Sequence, residues 1–151
     1  MMDKLLQIAE AHDVDVVEMK LTGRNKGLYA DNVIALRKDL TIKEKNCVLA
    51  EELGHHFTTH GDILDQSISS NRHQEYKARA WGIEALANLD KLIEAYYSTY
   101  DKFELAEYLN ITDEYLADCI EYYIKKYGNY YVYNDYVIQF NPLKITRDKE
   151  A

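Results

Sequence analysis

The chain has a single proline and six glycines in 151 residues. That scarcity excludes a Pro-rich or Gly-rich linker or a low-complexity tract, and no internal repeat is present. Cysteine is also scarce. Cys47 and Cys119 stand far apart and in no paired motif, which excludes a disulfide framework and fits a reducing cytoplasm. Cys47 lies two turns before His55 on one expected helix and reads as a buried structural thiol. Long apolar runs are missing, since no stretch approaches the roughly 18 residues that span a bilayer. The start, Met1 to Val14, carries Asp3, Glu10 and Asp13 and lacks the basic, then apolar, pattern of a signal peptide. Positive charge is short as well: 18 Lys and Arg against 26 Asp and Glu leave a net charge of −8. Such a chain has no basic footprint for nucleic acid or for an anionic membrane surface. Phe (3) and Trp (1) are few, whereas Tyr (14) is abundant; Tyr is an amphipathic residue suited to the edge of a core.

What is there suits a globular protein. The chain is 47% hydrophobic and 29% charged, and its length predicts one domain, residues 1–151, with a real core. Leu5, Leu6, Ile8 and Ala9 share one face of a short helix from Asp3 to Ala11. Val14 to Leu21 suggests a strand, and Thr22 to Gly27 a turn. Leu28 to Asp31 and Val33 to Leu36 read as two strands joined at Asp31-Asn32. Together they predict a small antiparallel sheet. Thr41-Ile42-Lys43-Glu44 is a capping box, so a helix starts near Ile42 and stops near Gly61. Its expected buried stripe is Val48, Leu49, Leu53 and Phe57. A polar loop over 62–70 follows, with Asn71 as the expected cap of the next helix. Further helices are expected over Leu89 to Tyr97, Phe103 to Leu109 and, capped by Thr112, up to Tyr127, where Gly128 ends it. Tyr131 to Phe140 alternates as a hairpin about Asn134-Asp135, and Pro142 and a charged end close the chain. The fold class is therefore α+β, mostly helical, with a small sheet near the N-terminus and a C-terminal hairpin.

The chemistry-bearing stretch is Glu51-Glu52-Leu53-Gly54-His55. It has the form of the zinc-peptidase motif H-E-x-x-H with Glu in place of the first His. Residues four apart share a helix face, so Glu51 and His55 could hold one metal. Glu52 sits about 100° round the helix, where a general base for an activated water belongs. A catalytic zinc takes about three protein ligands and keeps one position open. Glu75, twenty residues after His55 and early in the next expected helix, is the candidate third ligand. A Glu-His-Glu set adds negative charge, leaves a bound water less acidic, and improves the standing of Mn relative to Zn.

The bland alternative is a chance E-E-x-x-H on an acidic helix. His56 is one position round from His55 and is expected to face packing or solvent. His60 reaches the same face only if the helix frays near Gly61. Thr58 or Thr59 could lie on the metal side, Asp62 and Asp65 read as loop carboxylates, and His12 and His73 as surface residues.

The wider sequence resembles the ImmA/IrrE family of metallo-endopeptidases, and within it members encoded by prophages and mobile elements of Gram-positive bacteria. The likeness is carried by Val48 to His56, by Gly61-Asp62-Ile63-Leu64-Asp65-Gln66, and by Glu75 to Trp81. It extends to Tyr127-Gly128 and to the run from Tyr136 to Leu143. The family's second motif is E-x-x-A-N-x-F-A. Here Glu75 and Ala78 match it, while Arg79 replaces the Asn, Trp81 the Phe and Gly82 the last Ala. The resemblance implies a zincin-like domain with Glu51, His55 and Glu75 at a zinc, or manganese, and Glu52 as catalytic base. It further implies cleavage of a helix-turn-helix repressor that keeps a mobile element silent.

Three functions compete. A cytoplasmic peptidase would use metal and Glu52 on a protein substrate, and an acidic enzyme suits a basic, DNA-binding one. A non-catalytic module would grip a repressor or a toxin–antitoxin partner by occupancy alone. Direct DNA binding would use Phe103 to Lys126, which has helix-turn-helix spacing. There, however, Asp113 and Glu114 open the second helix, where they would face phosphates.

Overall fold

The computed structural model describes residues 2–58 and 68–148, with backbone alone for 68–71. The chain packs as two compact units, Met1–Asn88 and Leu89–Ala151. The described residues form six helices and two three-stranded sheets, in agreement with the α+β, mostly helical class. No helix among them is long and apolar enough to cross a membrane.

In the first unit, helix α1 (Met2–Ala11) buries Leu5 and Ala9, and Asp13, at φ 57°, turns the chain out of it. Strands β1 (Asp15–Met19), β2 (Gly27–Ala30) and β3 (Val33–Arg37) follow. Asp31 and Asn32, at φ 49° and 62°, form the β2–β3 hairpin turn, because these two residue types tolerate the left-handed region that such turns require. β2 and β3 pair antiparallel, as the hairpin signal implies. β1 instead takes the other side of β3 and runs parallel to it, giving the order β1-β3-β2. Alternation of side chains marks a strand but not which neighbour it takes. The central strand β3 buries Ile34 and Leu36 fully, and β2 remains at a sheet edge.

Helix α2 (Ile42–Thr58) begins at the expected capping box. The Glu44 N–H donates to Thr41 Oγ1 at 3.2 Å, and Thr41 N–H donates to Glu44 Oε1 at 3.1 Å. That second bond, from the Thr41 backbone, holds the Glu44 carboxyl below its ordinary range. Leu49 and Leu53 are buried as expected, but Val48 and Phe57 are only half-buried. Asn46, Cys47, Ala50 and Gly54 complete the buried residues, because α2 packs on the sheet and on α3 (Ile68–Ala87) at once. Helix α3 starts three residues before Asn71, so Asn71 lies inside it and is not its cap.

The second unit holds α4 (Leu89–Ser98), α5 (Lys102–Leu109), α6 (Asp113–Tyr127), β4 (Tyr130–Tyr133), β5 (Tyr136–Gln139) and β6 (Lys144–Arg147). Asp101 caps α5 and Thr112 caps α6, each accepting a backbone N–H three residues on, at 2.9 and 3.1 Å. Asn110, in the left-handed region, closes α5, and Gly128 closes α6. The hairpin turns at Asn134 (φ 53°), and β6 adds a third antiparallel strand where the sequence shows only a charged end. Its sole buried anchor is Ile145, too faint a signal for a strand. Tyrosines line this core in stacks, with Tyr123 on Phe140 at 5.5 Å and Tyr127 on Tyr131 at 3.8 Å. Cys47 and Cys119 are both buried and are not joined in a disulfide.

Candidate functional site

The site starts from a glycine. A Cβ on Gly54 would collide with the backbone carbonyl of Ala78, so α2 and α3 cross at closer range than any larger residue permits. This contact sets His55 and Glu75 side by side, with His55 Nε2 3.4 Å from Glu75 Oε2. On the neighbouring turn Glu51 Oε1 lies 3.8 Å from a terminal nitrogen of Arg79. The partners run in opposite order along the two helices (51 with 79, 55 with 75), so the helices are antiparallel where they cross.

Glu52 occupies a third direction, toward the sheet. Gly27, which opens β2, comes so near that a Cβ there would stand 3.3 Å from Glu52 Cγ and 2.5 Å from Val48 Cγ1. Burial under this strand raises the Glu52 carboxyl above its ordinary value. His55 pulls it down, and the carboxylates of Glu51 and Glu75 push it up again. Glu52 therefore feels the charges of the other three candidates, while His55 and Glu75 are the pair that meet.

His56 turns away from His55 to β2, where its Nδ1 lies 2.6 Å from the Tyr29 hydroxyl. The Thr58 hydroxyl donates to the Gly54 carbonyl at 2.6 Å within its own helix. His12 and His73 are exposed, as expected; His12 additionally packs edge-on against Phe57 at 4.8 Å, and Phe57 stacks on Trp81 at 4.9 Å. Thr59, His60, Asp62 and Asp65 lie outside the described residues. Gly27, Tyr29 and Arg79 belong to the neighbourhood without having been singled out as site residues. The first two sit in a strand far away in sequence; Arg79, four residues after Glu75 on the same expected helix, was the detectable one.

Does this arrangement suit a metal? Two donors each about 2.1 Å from a tetrahedral zinc stand about 3.4 Å apart, and the His55–Glu75 separation is 3.4 Å. The same spacing also suits a plain ion pair, so a third donor decides. Among the described residues no three His, Cys, Asp or Glu side chains gather as a ready metal cage, and Glu51 is turned to Arg79. The pair's spacing is compatible with a metal, and Glu51 would have to leave Arg79 to join it.

A sequence model of the family described as the IrrE N-terminal-like domain, Peptidase_M78, matches residues 9–120. No curated protein and no solved structure matches the chain.

Proposed function

The chain belongs to the IrrE N-terminal-like domain family of peptidases, and from that premise we propose that it is a metal-dependent endopeptidase. The observation that carries this function is the convergence of His55 and Glu75 beside a half-buried carboxylate, Glu52, whose pKa is raised. His55 and Glu75 would hold zinc, or manganese, with Glu51 completing the set. When bound, the metal supplies Lewis-acid polarisation of a scissile carbonyl and of a water. Glu52 accepts the proton of that water and returns it to the leaving amine. Its raised carboxyl supports this role, since a base matched to its task lies above the ordinary carboxylate range. β2 lies at the sheet edge among the described residues and next to Glu52, so an extended substrate segment could be aligned along it.

The substrate we infer is a basic, DNA-binding protein, of the kind that a helix-turn-helix repressor of a mobile element represents. The net charge of −8 favours a basic partner and disfavours nucleic acid itself. Two buried cysteines outside any disulfide suit the reducing cytoplasm in which such a repressor works.

A non-catalytic binding role has one observation of its own. The second unit contains a cavity of about 650 Å³ lined by apolar residues of α5 and α6 together with the charged Lys102, Asp113 and Glu121, and by Pro142 and Leu143. It could receive a partner's side chains without any chemistry. Metal content separates the two functions. Protein purified without chelator should carry about one equivalent of zinc or manganese, and His55→Ala should lose it. A wild type that arrives metal-free and takes up neither added ion would leave only the binding role.

A further inference from the structure

Glu51 and His55 share a face of α2, yet their side chains end in different places. His55 meets Glu75, while Glu51 meets Arg79, four residues further along α3. Both Glu51 and Arg79 are positions at which the chain departs from the motifs it resembles. They face each other beside the Gly54–Ala78 crossing, where the two helices approach too closely for a Cβ on residue 54.

We propose, taking His55 and Glu75 as the metal ligands read above, that Arg79 is a positioning residue that withholds Glu51 from the metal. The third ligand is then available only when the Glu51–Arg79 pair opens. A carboxylate paired with a guanidinium must give up that contact to turn toward an ion beside His55. The guanidinium is itself a like charge to the arriving cation. Exposure limits the strength of this latch: the Arg79 side chain is 50% and that of Glu51 34% accessible. Pairs so open to water are weak, so Arg79 grades metal affinity and does not block binding.

Two effects of Arg79 must be separated. Its charge repels any nearby cation whether or not Glu51 is present, whereas the latch acts only through Glu51. A double-mutant cycle separates them. Zinc and manganese affinities would be measured by competition with a chelating dye on wild type, Arg79→Gln, Glu51→Gln and the double variant. The latch predicts that Arg79→Gln tightens binding by about two- to fivefold more when Glu51 is present than when it is Gln. Arg79→Lys, which keeps the charge but loses the planar fork, should fall between wild type and Arg79→Gln. Equal tightening in both backgrounds would reduce Arg79 to a through-space charge and overturn the latch. Weaker binding by Arg79→Gln, with metal-free thermal unfolding as in wild type, would overturn it as well. His55→Ala keeps the two levels apart. Undiminished binding there would refute the metal site itself. Binding lost there, without a Glu51-dependent gain from Arg79→Gln, would refute the latch alone.

Discussion

Burial beneath β2 lifts the Glu52 carboxyl, His55 opposes the shift, and the charges of Glu51 and Glu75 add to it. Replacing this group with its amide preserves volume and removes the ability to accept a proton. Glu52→Gln should therefore lower cleavage of a repressor substrate by at least about 100-fold, while metal content and thermal stability stay near those of wild type. Loss of metal together with activity would mean that Glu52 is a ligand or a structural residue, and would sink its assignment as base. At this scale the sequence spoke clearly about Glu51, Glu52 and His55, because helical spacing alone fixes who shares a face. It could not say that the Glu51 carboxylate ends beside Arg79 while His55 ends beside Glu75. Side-chain direction depends on what the opposing helix presents, and those partners lie twenty or more residues away.

Gly54 shows why an element must be read through its neighbours. In isolation, glycine in the fourth turn of α2 weakens the helix by roughly 1 kcal/mol relative to alanine. In place, its missing Cβ is what lets α2 and α3 meet at the Ala78 backbone. Gly54→Ala gains the helical preference but must push the helices apart, and overpacking of this kind costs about 1–3 kcal/mol. The expected outcome is a lower melting temperature and reduced metal retention, because the His55–Glu75 spacing widens with the crossing. A more stable variant that keeps its metal would show that the helices relax elsewhere and that the crossing does not set the site. Helix limits governed by local chemistry were legible: the Thr41–Glu44 box, the Thr112 cap, and the stops at Asn110 and Gly128. Pairing partners were not. β1 joins β3 in parallel, and β6 rests on one buried Ile145, choices made by distant contacts that a local pattern does not contain.

For the molecule as a whole, the division of labour between the units makes a prediction that needs no view of how they are arranged. Every candidate ligand, the base and Arg79 lie within Met1–Asn88, whereas the second unit is a Tyr-rich core around α6 and its sheet. A ligand stabilises the states that bind it and protects the backbone whose opening destroys its site. Added zinc should therefore slow amide exchange along Ile42–Thr58 and the described part of Ile68–Ala87, the helices that converge on His55 and Glu75. Exchange in Asp113–Tyr127 should stay nearly unchanged wherever it proceeds by opening of the second unit alone. Protection confined to α2 and α3, and lost in His55→Ala, would tie the metal to this crossing. Protection appearing first in α6 would put the ion's contacts in the second unit and remove the basis for a peptidase centre at Glu52.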